Sequence, residues 1–270
     1  MTAATELANC KAYIELIKRS VTNYLYLGGE DEFRTFSSCD HYDPPKGEWR
    51  IDPLARPLSL LDRRQLALVE TSILSLESQG VPGDYIEAGV WRGGVIILMR
   101  ALLNAYGIAD RRIVAADSFA GIPMNVRFRH DPVDAWPDRW VASLEEVRAA
   151  IARFDLLDDR IEFLPGYFAD TLHTLAGRRF ALVRLDSDSY ESTETSLVHL
   201  YPLLSKGGVL IIDDWHLTAC KMAVSRYRTE HGIEDPILTR GGNAYWVKQQ
   251  DYGQPGPPPA DGGSEGSPKV

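Results

Sequence analysis

Length and composition place the 270-residue chain among globular proteins: 44% of its residues are hydrophobic and 25% are charged, which excludes a wholly disordered or fibrous chain. Its 38 acidic and 29 basic residues give a formal net charge of -9, which argues against nucleic acid or an anionic membrane surface as a partner. Cys10, Cys39 and Cys220 lie far apart without a CxxC pair, so neither a disulfide framework nor a structural zinc site is expected. The start of the chain lacks a secretion-signal pattern, and no apolar run approaches the ~20 residues that span a bilayer, so we expect a cytoplasmic protein.

Residues 1–57 are predicted to form an N-terminal helical or lid segment. Between Thr5 and Leu27, apolar residues recur at helical spacing, which predicts one or two amphipathic helices. From Gly28 to Pro57, glycine, proline and charged residues are mixed with isolated aromatic residues, a composition typical of a loop. Such a loop is compatible with a lid over a ligand and with a plain connector.

Residues 58–249 are predicted to form one doubly wound α/β domain. Short apolar runs alternate with amphipathic helices, and the runs are continuous rather than alternating in polarity, which is typical of a parallel sheet covered by helices on both faces. The predicted strands are Asp84–Ala88, Arg112–Asp117, Ile161–Gly166, Phe180–Asp186 and Val209–Asp214.

Local signals predict how several of these elements begin and end. Ser143 and Glu146 form the S-x-x-E pattern of a capping box, and a helix from Ser192 is predicted to end at Gly207-Gly208. The stretch Ile237–Lys248 predicts a hairpin that adds an antiparallel strand at the end of the sheet. Residues 250–270, rich in proline and glycine, are predicted to be a disordered tail.

The first predicted strand ends in a glycine-rich turn, EAGVWRGG, that leads directly into a helix. Gly89 permits a tight turn, but the spacing is not GxGxxG and no lysine follows for a phosphate loop. Asp117 ends the second strand, where a carboxylate accepts hydrogen bonds from a ribose diol. Together they favour a nucleoside ligand without a diphosphate; the alternatives are a turn built for packing alone and Asp117 as a cap of the next turn.

Two aspartates stand at the end of each of the fourth and fifth predicted strands: Asp186 and Asp188 at the fourth, Asp213 and Asp214 at the fifth. Four carboxylates at one edge of a sheet repel each other and raise their pKa values unless a cation compensates them. Oxygen ligands of this kind suit Mg2+. A divalent metal site is therefore predicted, and helix capping by these residues is the alternative.

Five blocks carry a resemblance to a known family: EAGVWRGG, AADSFAGIP, FLPGYFADTL, RLDSDSYEST and IIDDW, in this order and spacing. They resemble the macrocin/mycinamicin-type sugar O-methyltransferases, which include the noviose O-methyltransferase of aminocoumarin biosynthesis. The similarity extends from about Asn9 to Lys248. It implies a Rossmann-like class I methyltransferase sheet, S-adenosylmethionine and Mg2+ as cofactors, and a glycosylated natural product as acceptor. It also implies a homodimer or higher homo-oligomer whose N-terminal segment helps to cover the active site.

The resemblance also assigns roles to matching positions. It implies Asp188 as the general base and Asp186, Asp213 and Asp214 as metal ligands. The cofactor-binding residues that it implies are Glu87, Ala88, Gly89, Asp117, Ser118, Gly166 and Asp186. The chain departs from the family pattern at Ser187 and Ala120, which leaves the carboxylates intact, and over 58–66 and 238–240, in regions expected to face the acceptor or a partner chain.

The remaining candidates are less specific. His130 and His216 are the histidines placed where loops near the strand ends could present them. Trp136 and Trp140 are compatible with stacking on a sugar or aglycone face and with pinning an irregular loop to the domain.

Three functions fit these features to different degrees. The first is methyl transfer to a hydroxyl of a sugar on a natural product such as an antibiotic, in which the metal acidifies the hydroxyl and Asp188 accepts its proton. A metal-dependent glycosyltransferase would also use an Asp-Ser-Asp motif, but it would not need the Glu87-Ala88-Gly89 turn with Asp117 as a nucleoside site. A catalytically inactive nucleoside-binding module is the third, and the intact carboxylate set argues against it.

Overall fold

The computed structural model describes residues 2–27, 42–43, 48–49, 57–123 and 140–252. Several residues considered in the sequence analysis lie outside these ranges: most of the 28–57 loop, the tail beyond residue 252, Cys39, His130 and Trp136. The helices are α1 (Ala3–Val21), α2 (Tyr24–Leu27), α3 (Arg63–Gln79), α4 (Gly94–Ala105), α5 (Leu144–Ala152), α6 (Phe168–Thr171), α7 (Tyr190–Leu200) and α8 (Thr218–Glu230). The strands are β1 (Tyr42–Asp43), β2 (Glu48–Trp49), β3 (Asp84–Ala88), β4 (Ile113–Asp117), β5 (Ile161–Pro165), β6 (Phe180–Leu185), β7 (Leu204–Ile212), β8 (Leu238–Arg240) and β9 (Asn243–Val247).

Seven strands form the main sheet in the order β5-β4-β3-β6-β7-β9-β8. The first five are parallel, and β9 and β8 run antiparallel at the end. From β3 the chain winds first toward β5 and then, starting with β6, toward the opposite edge. Such a reversal opens a crevice at the carboxyl ends of the two central strands, where open α/β sheets bind ligands. The doubly wound sheet with a terminal antiparallel strand is confirmed.

Two hydrophobic layers cover the sheet. Apolar side chains of α1, α3, α4 and α5 pack on one face, and those of α7 and α8, with the short segment around α6, pack on the other. The alternation of side chains along each strand explains this division, because neighbouring residues of β3, Tyr85 and Ile86, enter opposite layers.

The described N-terminal helix shares the core of the first layer. Ile14, Ile17 and Val21 of α1 are buried against the domain, and the Lys18 ammonium lies 2.9 Å from a carboxylate oxygen of Glu70 on α3. The hydrophobic spacing predicted this buried face. The boundary after residue 57 stays a prediction.

The helix predicted to run to Gly207-Gly208 ends earlier. α7 stops at Leu200, a 3-10 turn over Tyr201–Leu203 follows, and β7 already begins at Leu204. The glycine pair instead lies inside β7, where the pairing with β6 shifts register. Gly207 has a φ of 82°, so it adopts a left-handed conformation that a bulge requires and other residues disfavour.

Two local predictions are confirmed in atomic detail. Ser143 Oγ accepts from the Glu146 amide at 3.2 Å, while Glu146 Oε2 accepts from the Ser143 amide at 2.8 Å, which completes the capping box of α5. Strands β8 and β9 form the expected hairpin around Gly241-Gly242, whose φ angles are 61° and 90°.

None of the described helices has the length and hydrophobicity of a bilayer-spanning segment. The two described cysteines, Cys10 and Cys220, are in the reduced thiol form.

Candidate active site

A cavity of about 700 Å3 opens at the carboxyl ends of β3, β4, β6 and β7. It brings together the glycine-rich turn after β3, the end of β4 and both aspartate pairs. The predicted site residues on its wall are Glu87, Gly89, Asp117, Ser118, Asp186, Asp188, Asp213 and Asp214. Ala88 and Gly166 are not among the lining residues. Ala88 is buried in the sheet, where its carbonyl accepts from the Asp186 amide, and Gly166 is the neighbour of the lining residue Tyr167.

Glycine is required at two points of the turn by close packing. Gly89 has a φ of 96°, and a Cβ there would overlap the main-chain oxygen of Asp186. A Cβ on Gly94 would crowd the main chain of Leu58 and the side chain of Ser59. The turn therefore sits directly on the loop that carries the aspartates after β6, which explains why the glycines lie where they do.

Residues 57–61 form a strap along the cavity wall. The main-chain oxygen of Leu58 accepts from the Gly94 amide at 3.0 Å, and the amides of Leu58 and Ser59 donate to the carbonyl of Val21 at the end of α1. Leu58 to Leu61 line the cavity. The strap thus connects the N-terminal helix to the glycine turn, a link that the loop-like composition before Pro57 did not reveal.

Asp117 organises the main chain around it. Its carboxylate accepts from the amides of Val90 at 2.6 Å, Trp91 at 3.0 Å and Phe119 at 2.8 Å. This is the local capping role that the sequence left open, and it fixes the glycine turn next to the cavity. Because Asp117 also lines the cavity, a role as ribose acceptor stays a prediction.

Non-glycine residues with left-handed backbones occur in three of the loops around the cavity. Trp91, Phe119 and Asp188 have φ angles of 45°, 51° and 57° and follow β3, β4 and β6 respectively. Bulky residues rarely adopt this conformation, which is held by surrounding contacts and is concentrated at functional sites. Trp91 packs edge-to-face on Trp140, with ring centroids 5.6 Å apart, and both line the cavity. This contact supports the second of the two roles considered for Trp140, pinning a loop to the domain.

Three of the four aspartates converge. Asp186, Asp188 and Asp214 each place a carboxylate oxygen within 4.8 Å of the others. Asp214 Oδ2 accepts from the amides of Ser187 at 2.9 Å and Asp188 at 2.8 Å, so it holds the turn between the other two. Asp213 instead accepts a hydrogen bond from Arg184 at 2.6 Å through Oδ1. The assignment of Asp213 as a ligand and Asp188 as the base stays a prediction.

The pKa values of the three converging carboxyl groups are raised, because these groups are removed from water and lie close to other carboxylates. Removal from water, and then the charge of Asp213, raises the pKa of Asp186 well above its usual range, and desolvation with the charges of Asp214 and Asp213 does the same to Asp188. Desolvation and Asp213 raise the pKa of Asp214 to about 6. A divalent cation would relieve this repulsion, and the all-oxygen set is of the kind that Mg2+ prefers, so the residues fit a Mg2+ ion.

Glu87 lines the cavity beside Asp186 and is almost wholly buried. Desolvation raises its pKa to about 8, against the opposing charge of Arg184. Its Oε1 accepts from Arg184 at 2.6 Å, whereas its Oε2 has no hydrogen-bond partner among the described residues. A buried polar atom in this state beside a cavity points to a ligand that completes its hydrogen bonding.

Sequence reasoning missed Arg184. The available signal was a single charged residue within the apolar strand FALVRL, and the side chain is fully buried beneath the cavity. Of the two histidine candidates, His216 lines the cavity, and its charge partly opposes the rise in the pKa of Asp214.

The family assignment follows from comparison with known proteins. Residues 10–248 match the family described as Macrocin-O-methyltransferase (TylF). The chain belongs to this family of O-methyltransferases. The resemblance expected from the five sequence blocks is confirmed, and a methyltransferase is supported over a glycosyltransferase or an inactive binding module.

Three relatives illustrate the range of the family. The chain is 36% identical over 248 residues to the mycinamicin III 3''-O-methyltransferase of Micromonospora griseorubida, covering 87% of this chain and 95% of the relative. It is 40% identical over 253 residues to the 8-demethyl-8-(2,3-dimethoxy-alpha-L-rhamnosyl)-tetracenomycin-C 4'-O-methyltransferase of Streptomyces olivaceus, with 87% and 91% covered. It is 38% identical over 266 residues to the demethyldecarbamoylnovobiocin O-methyltransferase of Streptomyces niveus, with 92% and 97% covered.

Solved structures agree with this assignment. The O-methyltransferase NovP superposes with a TM-score of 0.78 at 34% identity, covering 89% of this chain and 100% of that chain. The calicheamicin methyltransferase CalS11 shares the fold, with a TM-score of 0.58 at 22% identity over 81% of this chain and 90% of that chain. The Rossmann-like class I methyltransferase fold is thereby confirmed.

Proposed function

We propose that the protein transfers a methyl group from S-adenosylmethionine to a sugar hydroxyl of a glycosylated natural product, with Mg2+ bound at the aspartates. The names of the three relatives describe methyl transfer to mycinamicin III, a rhamnosyl-tetracenomycin and a novobiocin precursor. The observation that carries the proposal is that one cavity joins the glycine turn after β3 to three converging carboxylates.

The glycine-turn half of the cavity would bind the cofactor. Gly89 allows the main chain to approach closely, and Asp117 holds the following amides in place. The unsatisfied Glu87 Oε2 offers a buried partner for a polar group of the cofactor. Held in this way, the methyl group would be directed toward the aspartate half, and such positioning supplies much of the acceleration in methyl transfer.

The aspartate half would bind and orient the acceptor hydroxyl. Asp186 and Asp214, with Asp213 as the further predicted ligand, would hold Mg2+, which when bound acts as a Lewis acid toward the hydroxyl. Methyl transfer forms an oxygen–carbon bond as the sulfonium–methyl bond breaks, so the hydroxyl proton must leave. Asp188 would accept that proton on its carboxylate.

Direct assay tests the proposal. The purified protein, S-adenosylmethionine and Mg2+ are incubated with mycinamicin III, demethyldecarbamoylnovobiocin or the demethylated rhamnosyl-tetracenomycin, and S-adenosylhomocysteine and methylated product are measured by mass spectrometry. We expect turnover of at least one glycoside and none of the sugar-free aglycones. Methylation of an aglycone would contradict the proposal that a sugar is the acceptor. A protein that binds the cofactor but methylates no glycoside in a panel of such antibiotics would contradict it as well.

We also propose that the protein works in the cytoplasm as a homodimer or higher homo-oligomer. The 57–61 strap, which ties α1 to the cavity wall, supports a role for the N-terminal segment near the site. Light scattering on the eluted protein measures the mass in solution, and a mass of one chain would contradict the oligomer.

A further inference from the structure

Arg184 occupies an unusual position for a charged residue. It lies on β6, in the interior of the parallel sheet, and its side chain is fully buried. The neighbour on its own strand face, Leu182, and its partner on β7, Ile211, are apolar and also fully buried. Its partner on the other side, on β3, is Glu87.

One guanidinium holds three carboxylates from three adjacent strands. Nη1 donates to Glu87 Oε1 at 2.6 Å and to Asp186 Oδ2 at 2.9 Å, and Nη2 donates to Asp213 Oδ1 at 2.6 Å. Asp186 and Asp213 each accept through one oxygen, which restrains the position of that oxygen and leaves the other oxygen of each carboxylate for another partner. A planar fork of this kind fits arginine, whereas lysine offers a single point of charge.

Stability alone does not account for this cluster. Three carboxyl groups share one arginine, and Asp188 and Asp214 lie beside them. Apolar residues of similar size in the place of a buried ion pair leave stability equal or higher. What the arrangement provides is a shared hydrogen-bond donor between Glu87, which is proposed to face the cofactor, and Asp186, which belongs to the converging carboxylates.

We infer that Arg184 is a positioning residue that orients Glu87 for the cofactor and Asp186 and Asp213 for the metal at the same time. The inference rests on the proposed function, because it assumes that a cofactor and a cation bind in the same cavity. It assigns Arg184 no contact with the acceptor, so it is tested by binding rather than by turnover.

The decisive variant is Arg184→Lys, which keeps the charge and removes the planar fork. Isothermal titration calorimetry measures the Kd of Mg2+ and, separately, that of S-adenosylhomocysteine. We expect both affinities to fall about 10–100-fold, the range seen when a residue that orients a metal ligand is lost.

Arg178→Lys is the matched control. Arg178 also bridges carboxylates of two strands, Asp84 at 3.1 Å and Glu162 at 2.8 Å, but it does so away from the cavity, near the amino ends of β3 and β5. We expect this control to lower the melting temperature and to leave both affinities unchanged.

A second variant covers the case in which Arg184→Lys does not fold. Glu87→Met keeps Arg184 but removes one of its anchors, and we expect it to weaken Mg2+ binding although Glu87 is outside the three converging carboxylates. Wild-type Mg2+ affinity in either folded variant overturns the inference and leaves the proposed methyl transfer standing. A wild-type protein that binds no Mg2+ overturns both the inference and the metal in the proposed function.

Discussion

Replacing Asp188 or Asp186 by asparagine should impair methyl transfer in different ways, although only Ser187 separates the two residues. Asp188→Asn keeps the size of the side chain, and asparagine tolerates the left-handed backbone with its φ of 57°. The Asp188 amide can still donate to Asp214. The substitution therefore removes a proton acceptor and one negative charge of the three converging carboxylates, while it keeps the shape of the loop.

The expected fall in kcat for Asp188→Asn is that of a lost general base. Loss of a general base lowers kcat by roughly 10²–10⁴-fold. S-adenosylmethionine affinity should stay close to wild type, because Asp188 is not among the groups that hold the glycine turn in place. Raising the Mg2+ concentration should not restore the rate, since a missing base does not respond to metal.

Asp186→Asn should behave as a ligand variant. It removes a negative charge from the converging carboxylates and weakens a 2.9 Å ion pair with Arg184. Weakened metal binding responds to concentration, so excess Mg2+ should recover much of the rate. Asp213→Asn is predicted to respond in the same way if Asp213 is a ligand.

The assay is a Mg2+ titration of turnover for the wild type and the three variants, after circular dichroism has shown that each is folded. Equal rescue of Asp188→Asn and Asp186→Asn would refute the division of roles. Asp188 would then be a third ligand, as the convergence of the carboxylates allows, and His216 on the cavity wall would be the next base to test.

Four further outcomes are expected. Excess EDTA should abolish turnover and added Mg2+ restore it, while calorimetry shows that S-adenosylhomocysteine still binds; full activity in EDTA would remove the metal from the reaction. Gly89→Ala should lower the free energy of unfolding by about 3 kcal/mol or more in urea titrations, because its Cβ would overlap the Asp186 carbonyl at a left-handed position; wild-type stability would contradict that packing. The pKa of Asp214 in the folded protein is raised to about 6, so in the metal-free protein this group lowers the free energy of unfolding above pH 6, and the effect disappears as the pH falls toward 4. The rise in melting temperature on adding Mg2+ should therefore be larger at pH 7.5 than at pH 5. A larger rise at pH 5 would contradict this expectation. Removing residues 1–57 should leave a core that folds and binds cofactor but has poor acceptor affinity, at reduced stability because Val21 and its neighbours leave the core; a fragment that cannot fold would show that the boundary is misplaced.

Local sequence signals predicted the features that depend on a few neighbouring residues. The apolar runs located the strands, the S-x-x-E pattern located the cap at Ser143, and the glycine pair at residues 241–242 located the hairpin turn. The carboxyl ends of parallel strands necessarily share one edge of the sheet, so the meeting of the aspartates with the glycine turn also followed. Gly207-Gly208 misled the prediction because glycine marks a bulge as well as a helix end, and only strand pairing tells the two apart.

The arrangement within the carboxylate cluster could not be obtained in this way. Sequence gives two aspartates at each of two strand ends, but which three converge depends on the left-handed turn at Asp188 and on the ion pair that turns Asp213 toward Arg184. That ion pair depends in turn on the register that sets Glu87, Arg184 and Ile211 side by side across three strands. A one-residue shift of β6 would move the guanidinium to the opposite face and leave the carboxylates without their buried cation. The positions of the aspartates in the sequence are therefore not enough to predict the geometry of the site. The ion pairs that orient these residues depend on the register of the strands, which sequence periodicity does not give.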